Sequence, residues 1–144
     1  MGSDEAQRIA ERVGVFISET DRVARTLGMT LENIKPGFAK VSMKVRENML
    51  NGFNMCHGGV TFCLADVAFA YACNSHNKKA VALSCNINYS APAREGDTLI
   101  ATAEERLSGR IGICDITVTN QHGAIIAVFR GTSYGINEPV RANL

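Results

Sequence analysis

The chain carries almost no net charge, because 15 basic residues stand against 14 acidic ones and leave a formal charge of +1. This balance argues against a nucleic acid or a membrane surface as the partner. No apolar run reaches the ~20 residues that a membrane span requires. Residues 1–5 also lack the basic and apolar regions of a signal peptide. We therefore expect a cytoplasmic protein.

The sequence also lacks the spacings that hold disulfides or metals. Its five cysteines are an odd number and form no Cys-x-x-Cys pair, so we expect reduced thiols, most of them in the core. Cys56 adjoins His57, but adjacent side chains rarely point at each other, and a catalytic cysteine is not favoured. The three histidines show no spacing that would gather metal ligands. We predict neither a metal site nor a bound cofactor.

Most of the chain alternates apolar and polar residues, with the period of two that is typical of half-buried strands. The first such stretch is 37–47, and a hairpin at Ser108-Gly109 joins two of the later ones. The sequence therefore predicts five strands, one before and four after a central apolar segment. The four later stretches are 80–90, 97–107, 110–119 and 123–134.

Residues 3–28 precede the alternating part and are expected to form two helices. Ser3 is positioned to cap the first helix and Thr20 the second, which ends at Gly28. No repeat or linker interrupts the chain, and 144 residues is an ordinary size for one domain. We predict a single α+β domain that spans the chain.

The central apolar segment contains one acid. Residues 59–74 are predicted to form a helix with apolar residues on every side, broken only by Thr61 and Asp66. A helix that is apolar all round is a buried one, so the strands must wrap it. A carboxylate in such surroundings has to be hydrogen-bonded or close to solvent if it is ionised. Asp66, behind the start His57-Gly58-Gly59, therefore indicates a reaction centre.

The segment Asn-Gly-Phe-Asn-Met-Cys-His-Gly-Gly (51–59), the helix with Asp66, and residues 84–97 together resemble the hotdog-fold acyl-CoA thioesterases. Within that superfamily the chain is most similar to the phenylacetic acid degradation (PaaI-type) thioesterases, over residues 37–134. The resemblance implies a curved antiparallel β-sheet around a long central α-helix. It also implies an acyl-CoA substrate, a homodimer with the active site between subunits, and a homotetramer built as a dimer of dimers.

The resemblance further implies a role for each of five residues. The backbone N–H of Gly58 would bind the thioester oxygen, and Asn51 would hold and polarise the carbonyl. His57 would orient Asn51. The partner subunit's Asp66 would act on water as a general base, or attack the carbonyl itself. Ser84 would help Asp66 to hold that water.

Elementary chemistry agrees with this arrangement. Thioester hydrolysis builds negative charge on the carbonyl oxygen, and the free N–H groups at a helix N-terminus can receive it. Gly59 and Asp66 are seven residues apart, about 10 Å along a helix, too far for both to act on one carbonyl. A second subunit would solve this distance problem.

Each assignment has a structural alternative. Asp66 could brace a contact, His57-Gly58-Gly59 could be only a turn and helix start, and Asn51 could belong to a turn. The polar row that contains Ser84 could face solvent or a subunit interface. For the whole protein, a hotdog hydratase or dehydratase and a non-catalytic acyl-CoA-binding module remain open. The phenylacetyl-type acyl group is implied by the resemblance alone.

Two sets of residues are candidates for substrate contacts. Coenzyme A carries phosphates, so cations should lie near the mouth of its pocket. Aromatic and sulfur-containing side chains near the helix could line an acyl pocket or simply pack in the core. The candidate cations are Lys78, Lys79, Arg94, Arg106 and Arg110, and the candidate acyl contacts are Met49, Phe53 and Tyr71.

Overall fold

The chain forms one antiparallel sheet and three α-helices, and the computed structural model describes residues 1–144. The helices are α1 (Ser3–Thr20), α2 (Arg22–Thr26) and α3 (Gly58–Asn74), and a short 3₁₀ turn covers Glu47–Met49. The strands are β1 (Thr30–Lys35), β2 (Phe38–Lys44), β3 (Ala80–Tyr89), β4 (Thr98–Leu107), β5 (Ile111–Thr119) and β6 (Ile125–Gly135). They are ordered β1-β2-β4-β5-β6-β3, so β1 and β3 form the two edges.

The curved sheet wraps α3, which contacts five of its strands extensively. Leu64, Ala68 and Ala72 of the helix are fully buried against the sheet. The helix comes especially close to β6, where the ring of Phe69 lies over Gly131. This is the hotdog architecture that the resemblance predicted. None of the three helices has the length and apolar character of a membrane-spanning segment.

The five predicted strands are confirmed as β2 to β6, with ends that differ by a few residues. The sequence missed β1, which pairs with β2. Only Ile34 of this strand is buried, so its sequence shows no alternation of apolar and polar residues. An edge strand that contributes one residue to the core carries too weak a pattern to be detected.

The two predicted N-terminal helices are present, but the predicted caps were wrong. Gly2 occupies the N-cap position of α1, Ser3 is the first helical residue, and no side chain caps this end. Thr20 ends α1 instead of capping α2. Asp21 caps α2, because its carboxylate accepts a backbone N–H at 3.0 Å. The stop at Gly28 is confirmed, with a φ of +70° that suits glycine.

The prediction that α3 is buried on every side was wrong for one face. A row of residues at helical spacing remains exposed or half-buried in the single chain. The sheet covers the rest of the helix, and the chain covers this row only in part. We call it the open stripe; it consists of Gly59, Phe62, Cys63, Asp66 and Ala70.

The edge strand β3 lies beside this uncovered region. Its outer side has no strand partner, since β3 pairs only with β6. Val81 and Leu83 are 48% and 60% exposed, an unusual amount of apolar surface for a strand edge. Natural proteins usually protect such an edge with charge or with a covering element.

Candidate active site

The site begins at the N-terminus of α3, where His57 is the N-cap residue. Its ring Nδ1 accepts the N–H of Gly59 at 2.9 Å. Its backbone carbonyl accepts the N–H groups of Val60 and Thr61 at 2.9 and 3.2 Å. The N–H of Gly58 has no hydrogen-bond acceptor within the chain. The helix start therefore offers one free donor, at the positive end of the helix dipole.

Asn51 lies in the loop that leads to α3, and the loop itself uses its side-chain oxygen. Oδ1 accepts the backbone N–H groups of Phe53 and Met55 at 2.9 and 3.1 Å. This contact fixes the side chain and leaves Nδ2 without an acceptor in the chain. Asn51 therefore does belong to a turn, as the structural alternative proposed. The turn still leaves the Nδ2 donor of Asn51 available to a ligand.

Within the single chain no hydrogen bond joins the side chains of His57 and Asn51. The imidazole Nδ1 accepts the N–H of Gly59, and the other ring nitrogen, Nε2, has no partner in the chain. The predicted orientation of Asn51 by His57 stays a prediction from the resemblance. Within the chain, the turn at Phe53 and Met55 orients Asn51. The role of His57 within the chain is to cap α3.

Asp66 lies on the open stripe, half-buried, and its carboxylate has no hydrogen-bond partner within the chain. Burial raises the pKa of this carboxyl group above its ordinary value, and the negative charge of Asp21 raises it further. A carboxylate with a raised pKa is a stronger base, which suits the removal of a proton from water. Of the two conditions set out for an ionised Asp66, the chain supplies no hydrogen bond, and the side chain is only half-buried.

Asp21 is a residue that sequence reasoning missed. It lies at the junction of α1 and α2, and its charge raises the pKa of Cys63 and of Tyr71 as well as that of Asp66. For the Tyr71 phenol, burial is the larger cause, and the two together bring the pKa to about 12. No local pattern connects Asp21 with the helix, since the two are far apart in sequence and only the packing of α1 and α2 brings them together.

Ser84 does not meet Asp66 within the chain. Cys85 and Ile87 of β3 pack against the core, so the intervening Ser84 faces the opposite, exposed side of the sheet. Its hydroxyl makes no hydrogen bond in the structure. The polar face of β3 is therefore the outer face, and a role for Ser84 at the water stays a prediction from the resemblance.

All five cysteines are free, as expected, and three of them are buried. Burial raises the pKa of the Cys56 and Cys73 thiols, and raises that of Cys114 to about 12. Thiols with such pKa values remain protonated at neutral pH and are poor nucleophiles. No group of three or more His, Cys, Asp and Glu side chains is arranged to hold a metal ion.

Three of the five candidate cations lie together. Lys78, Lys79 and Arg110 line a cavity of about 590 Å³ near the C-terminal end of α3, whereas Arg94 and Arg106 lie outside it. The candidate acyl contacts differ in their exposure. Met49 and Tyr71 are each 2% exposed and belong to the core, while Phe53 is 80% exposed.

A curved antiparallel sheet wrapped around a central helix defines the hotdog class of protein, and the free N–H at the helix start is a donor that an acyl oxygen could use. The Thioesterase superfamily matches residues 53–127 of the chain. The acyl-coenzyme A thioesterase PaaI of Escherichia coli is 48% identical over 119 residues, which are 82% of this chain and 85% of that protein. The chain therefore belongs to the thioesterase superfamily and, within it, to the PaaI-type thioesterases.

Solved structures agree with this placement. The E. coli PaaI protein from the phenylacetic acid degradation operon superposes with a TM-score of 0.91 and 43% identity, covering 92% of this chain and 97% of that one. A Streptococcus mutans protein bound to acetyl CoA superposes with a TM-score of 0.75 and 28% identity, covering 77% of this chain and 90% of that one. The resemblance stated from the sequence is confirmed.

Proposed function

We propose that the protein hydrolyses acyl-CoA thioesters to a free acid and coenzyme A, at a site formed between two copies of the chain. The observation that carries this proposal is the unpaired N–H of Gly58 at the start of α3. The preferred acyl groups in the proposal are phenylacetyl and hydroxylated phenylacetyl. Similarity to the E. coli PaaI protein from the phenylacetic acid degradation operon supports this choice and a place in that degradation.

In the proposed reaction the thioester oxygen accepts the N–H of Gly58 and the side-chain amide of Asn51. The partner subunit's Asp66 removes a proton from water as the water oxygen attacks the carbonyl carbon. The negative charge that develops on the carbonyl oxygen is stabilised by the two donors and the helix dipole. The intermediate then expels the thiolate of coenzyme A, which takes up a proton. A direct attack by the carboxylate, through an anhydride, would use the same groups.

The uncovered surfaces of the single chain support the dimer. The edge of β3 exposes Val81 and Leu83, and the open stripe beside it leaves Asp66 without a partner. A symmetric pairing of two β3 edges would satisfy the free backbone groups and cover this surface. It would also place Asp66 of each copy next to the N-terminus of α3 in the other copy. We extend the proposal to a homotetramer on the family resemblance, and light scattering would test it.

Acyl-CoA is the proposed partner, and the acetyl CoA bound to the S. mutans relative supports this class of ligand. The cavity lined by Lys78, Lys79 and Arg110 is the proposed contact for its phosphates. Two acids, Glu105 and Glu138, line it as well, and Lys79 is paired with Glu138 at 2.8 Å, so Lys78 and Arg110 are the cations left for a phosphate. No separate cofactor enters the reaction. We also propose a cytoplasmic location, which the five free cysteines support.

The test is the release of free thiol from phenylacetyl-CoA, hydroxyphenylacetyl-CoA, benzoyl-CoA and medium-chain acyl-CoAs. Asp66→Asn keeps the size of the side chain and removes the base, so thiol release should collapse while the fold and the assembly persist. Asp4→Asn is the control, since it removes one exposed carboxylate in the first turn of α1. Equal thiol release by Asp66→Asn and the native protein would exclude Asp66 from the chemistry.

The same experiment separates the alternatives. If neither form releases thiol, the next assay is hydration of an enoyl-CoA, monitored through the loss of the ultraviolet absorbance of the enoyl group. Hydration would identify a hydratase. Binding of acyl-CoA without any turnover, unchanged in Asp66→Asn, would identify a binding module.

A further inference from the structure

The peptide group that joins Gly58 to Gly59 is held at both of its polar atoms. Its carbonyl oxygen accepts a hydrogen bond from the Tyr89 hydroxyl at 2.7 Å. Its N–H donates to Nδ1 of His57 at 2.9 Å. The Tyr89 ring also lies against the backbone, because a Cβ built on Gly58 would meet its Cζ atom at 3.1 Å.

This double contact acts on the most flexible point of the helix start. Glycine has the widest range of backbone angles, and two successive glycines would let the first turn of α3 adopt many conformations. The free N–H of Gly58 belongs to the preceding peptide, so its direction depends on the backbone angles of Gly58 itself. Fixing the next peptide plane restricts those angles. A donor for a developing charge is effective only if its direction is set before the reaction.

We propose that Tyr89 is a positioning residue of the reaction, whose hydroxyl holds the Gly58 peptide so that the free N–H points at the thioester oxygen. The inference rests on the proposed thioesterase function and adds to it a residue outside the predicted set. Burial raises the pKa of the Tyr89 phenol above its ordinary value, so the hydroxyl remains a proton donor at neutral pH.

The position of Tyr89 in the fold gives this contact a second consequence. Tyr89 is the last residue of the edge strand β3, and it is 52% exposed in the single chain. The strand that supplies the proposed dimer contact therefore also supplies the hydroxyl that holds the helix start. Assembly along β3 would fix the dimer contact and the Tyr89 hydroxyl at once.

The test compares Tyr89→Phe with Ser18→Ala. The first change removes only the hydroxyl and keeps the ring against Gly58. The second also removes a hydroxyl that donates to a backbone carbonyl, that of Val15 at 2.8 Å, but on α1 and outside the proposed site. We expect kcat to fall about five- to tenfold in Tyr89→Phe, the effect of one hydrogen bond, and to stay unchanged in Ser18→Ala.

Further measurements separate positioning from a general structural effect. KM, the assembly, and the Kd for S-phenethyl-CoA, a thioether that has no carbonyl oxygen, should stay at native values in Tyr89→Phe. The amide signal of Gly58 in a ¹H–¹⁵N spectrum should shift or broaden. Replacing Tyr89 by 4-aminophenylalanine, which returns a donor at the same place on the ring, should restore most of kcat.

An unchanged kcat in Tyr89→Phe would overturn the proposal, and so would a parallel loss of kcat and of affinity for the thioether. Failure of the thioesterase function itself would look different, because the native protein would then release no thiol from any of the substrates.

Discussion

Gly58 and Asp66 lie on the same helix but eight residues apart, and the rise of an α-helix separates them by about 12 Å. The free N–H is at the first turn, and the unpaired carboxylate is more than two turns further along. One thioester carbonyl cannot be within hydrogen-bond reach of the first and within one water molecule of the second. Two copies of the helix, running in opposite directions across a symmetric interface, would bring one group of each kind together.

The role of the Gly58 donor can be tested by removing the N–H alone. Proline is well tolerated at the first position of a helix, and His57 before it has the extended conformation that proline requires. We expect Gly58→Pro to lower kcat about 10²- to 10³-fold, the usual cost of losing one such donor. Gly58→Ala is the control, because it adds the same Cβ against Tyr89 and keeps the N–H. Similar losses in both variants would assign the effect to crowding.

The same variant allows a test of the shared site. Gly58→Pro and Asp66→Asn should each be inactive alone, whereas a mixed dimer contains one site in which both groups are native. Equal amounts refolded together should recover about a quarter of native thiol release, since half of the dimers are mixed and half of their sites are intact. The measurement compares thiol release by the mixture with thiol release by each single variant. No recovery, with mixed dimers demonstrated by two affinity tags, would mean that the site is not shared.

The pH dependence of the reaction should depend on Asp21. The general base must be ionised, so kcat should fall as the pH drops through the raised pKa of Asp66. Asp21→Asn removes a negative charge that raises this pKa, so the acid limb of the profile should move to lower pH. Asparagine is also a good N-cap, so α2 should persist. The measurement is a profile of kcat against pH for Asp21→Asn, with Asp4→Asn as the control that also removes one negative charge. An acid limb that does not move in Asp21→Asn would contradict the prediction.

The stability of the fold should depend on the contact between Phe69 and Gly131. A Cβ on Gly131 would meet ring atoms of Phe69 at 2.6 to 2.8 Å, which neither the helix nor the sheet can relieve without moving. Gly131→Ala should therefore lower the free energy of unfolding by about 1–3 kcal/mol. Urea denaturation at one protein concentration would measure it.

A control lies on the same strand. Gly135 has only ordinary contacts around its missing Cβ, the nearest at 3.6 Å, so Gly135→Ala should leave the midpoint nearly unchanged. Phe69→Leu should regain part of the loss when combined with Gly131→Ala. Equal effects of the two glycine substitutions would show that close packing at Phe69 is not the cause.

The sequence was sufficient for most of the fold, because its elements carry strong local patterns. Five strands alternate with period two over many residues, and the central helix is apolar over four turns. The strand β1 escaped detection, since an edge strand with one buried residue has almost no alternation. The caps were misplaced by one residue at α1 and at α2, because Ser3 and Thr20 compete with neighbours of similar propensity.

The sequence by itself determined the chemistry at the helix: an acid in an apolar segment, a glycine pair after a capping residue, and an asparagine in a turn. Each of these depends on residues only a few positions apart. Only the tertiary structure decided that the ring of His57 binds the helix start, and that Ser84 lies on the exposed face of the sheet. It also decided that Tyr89, 31 residues away, holds Gly58. Such contacts depend on how the sheet curves around α3, and no local pattern in a sequence encodes the distance between two elements that meet only after folding.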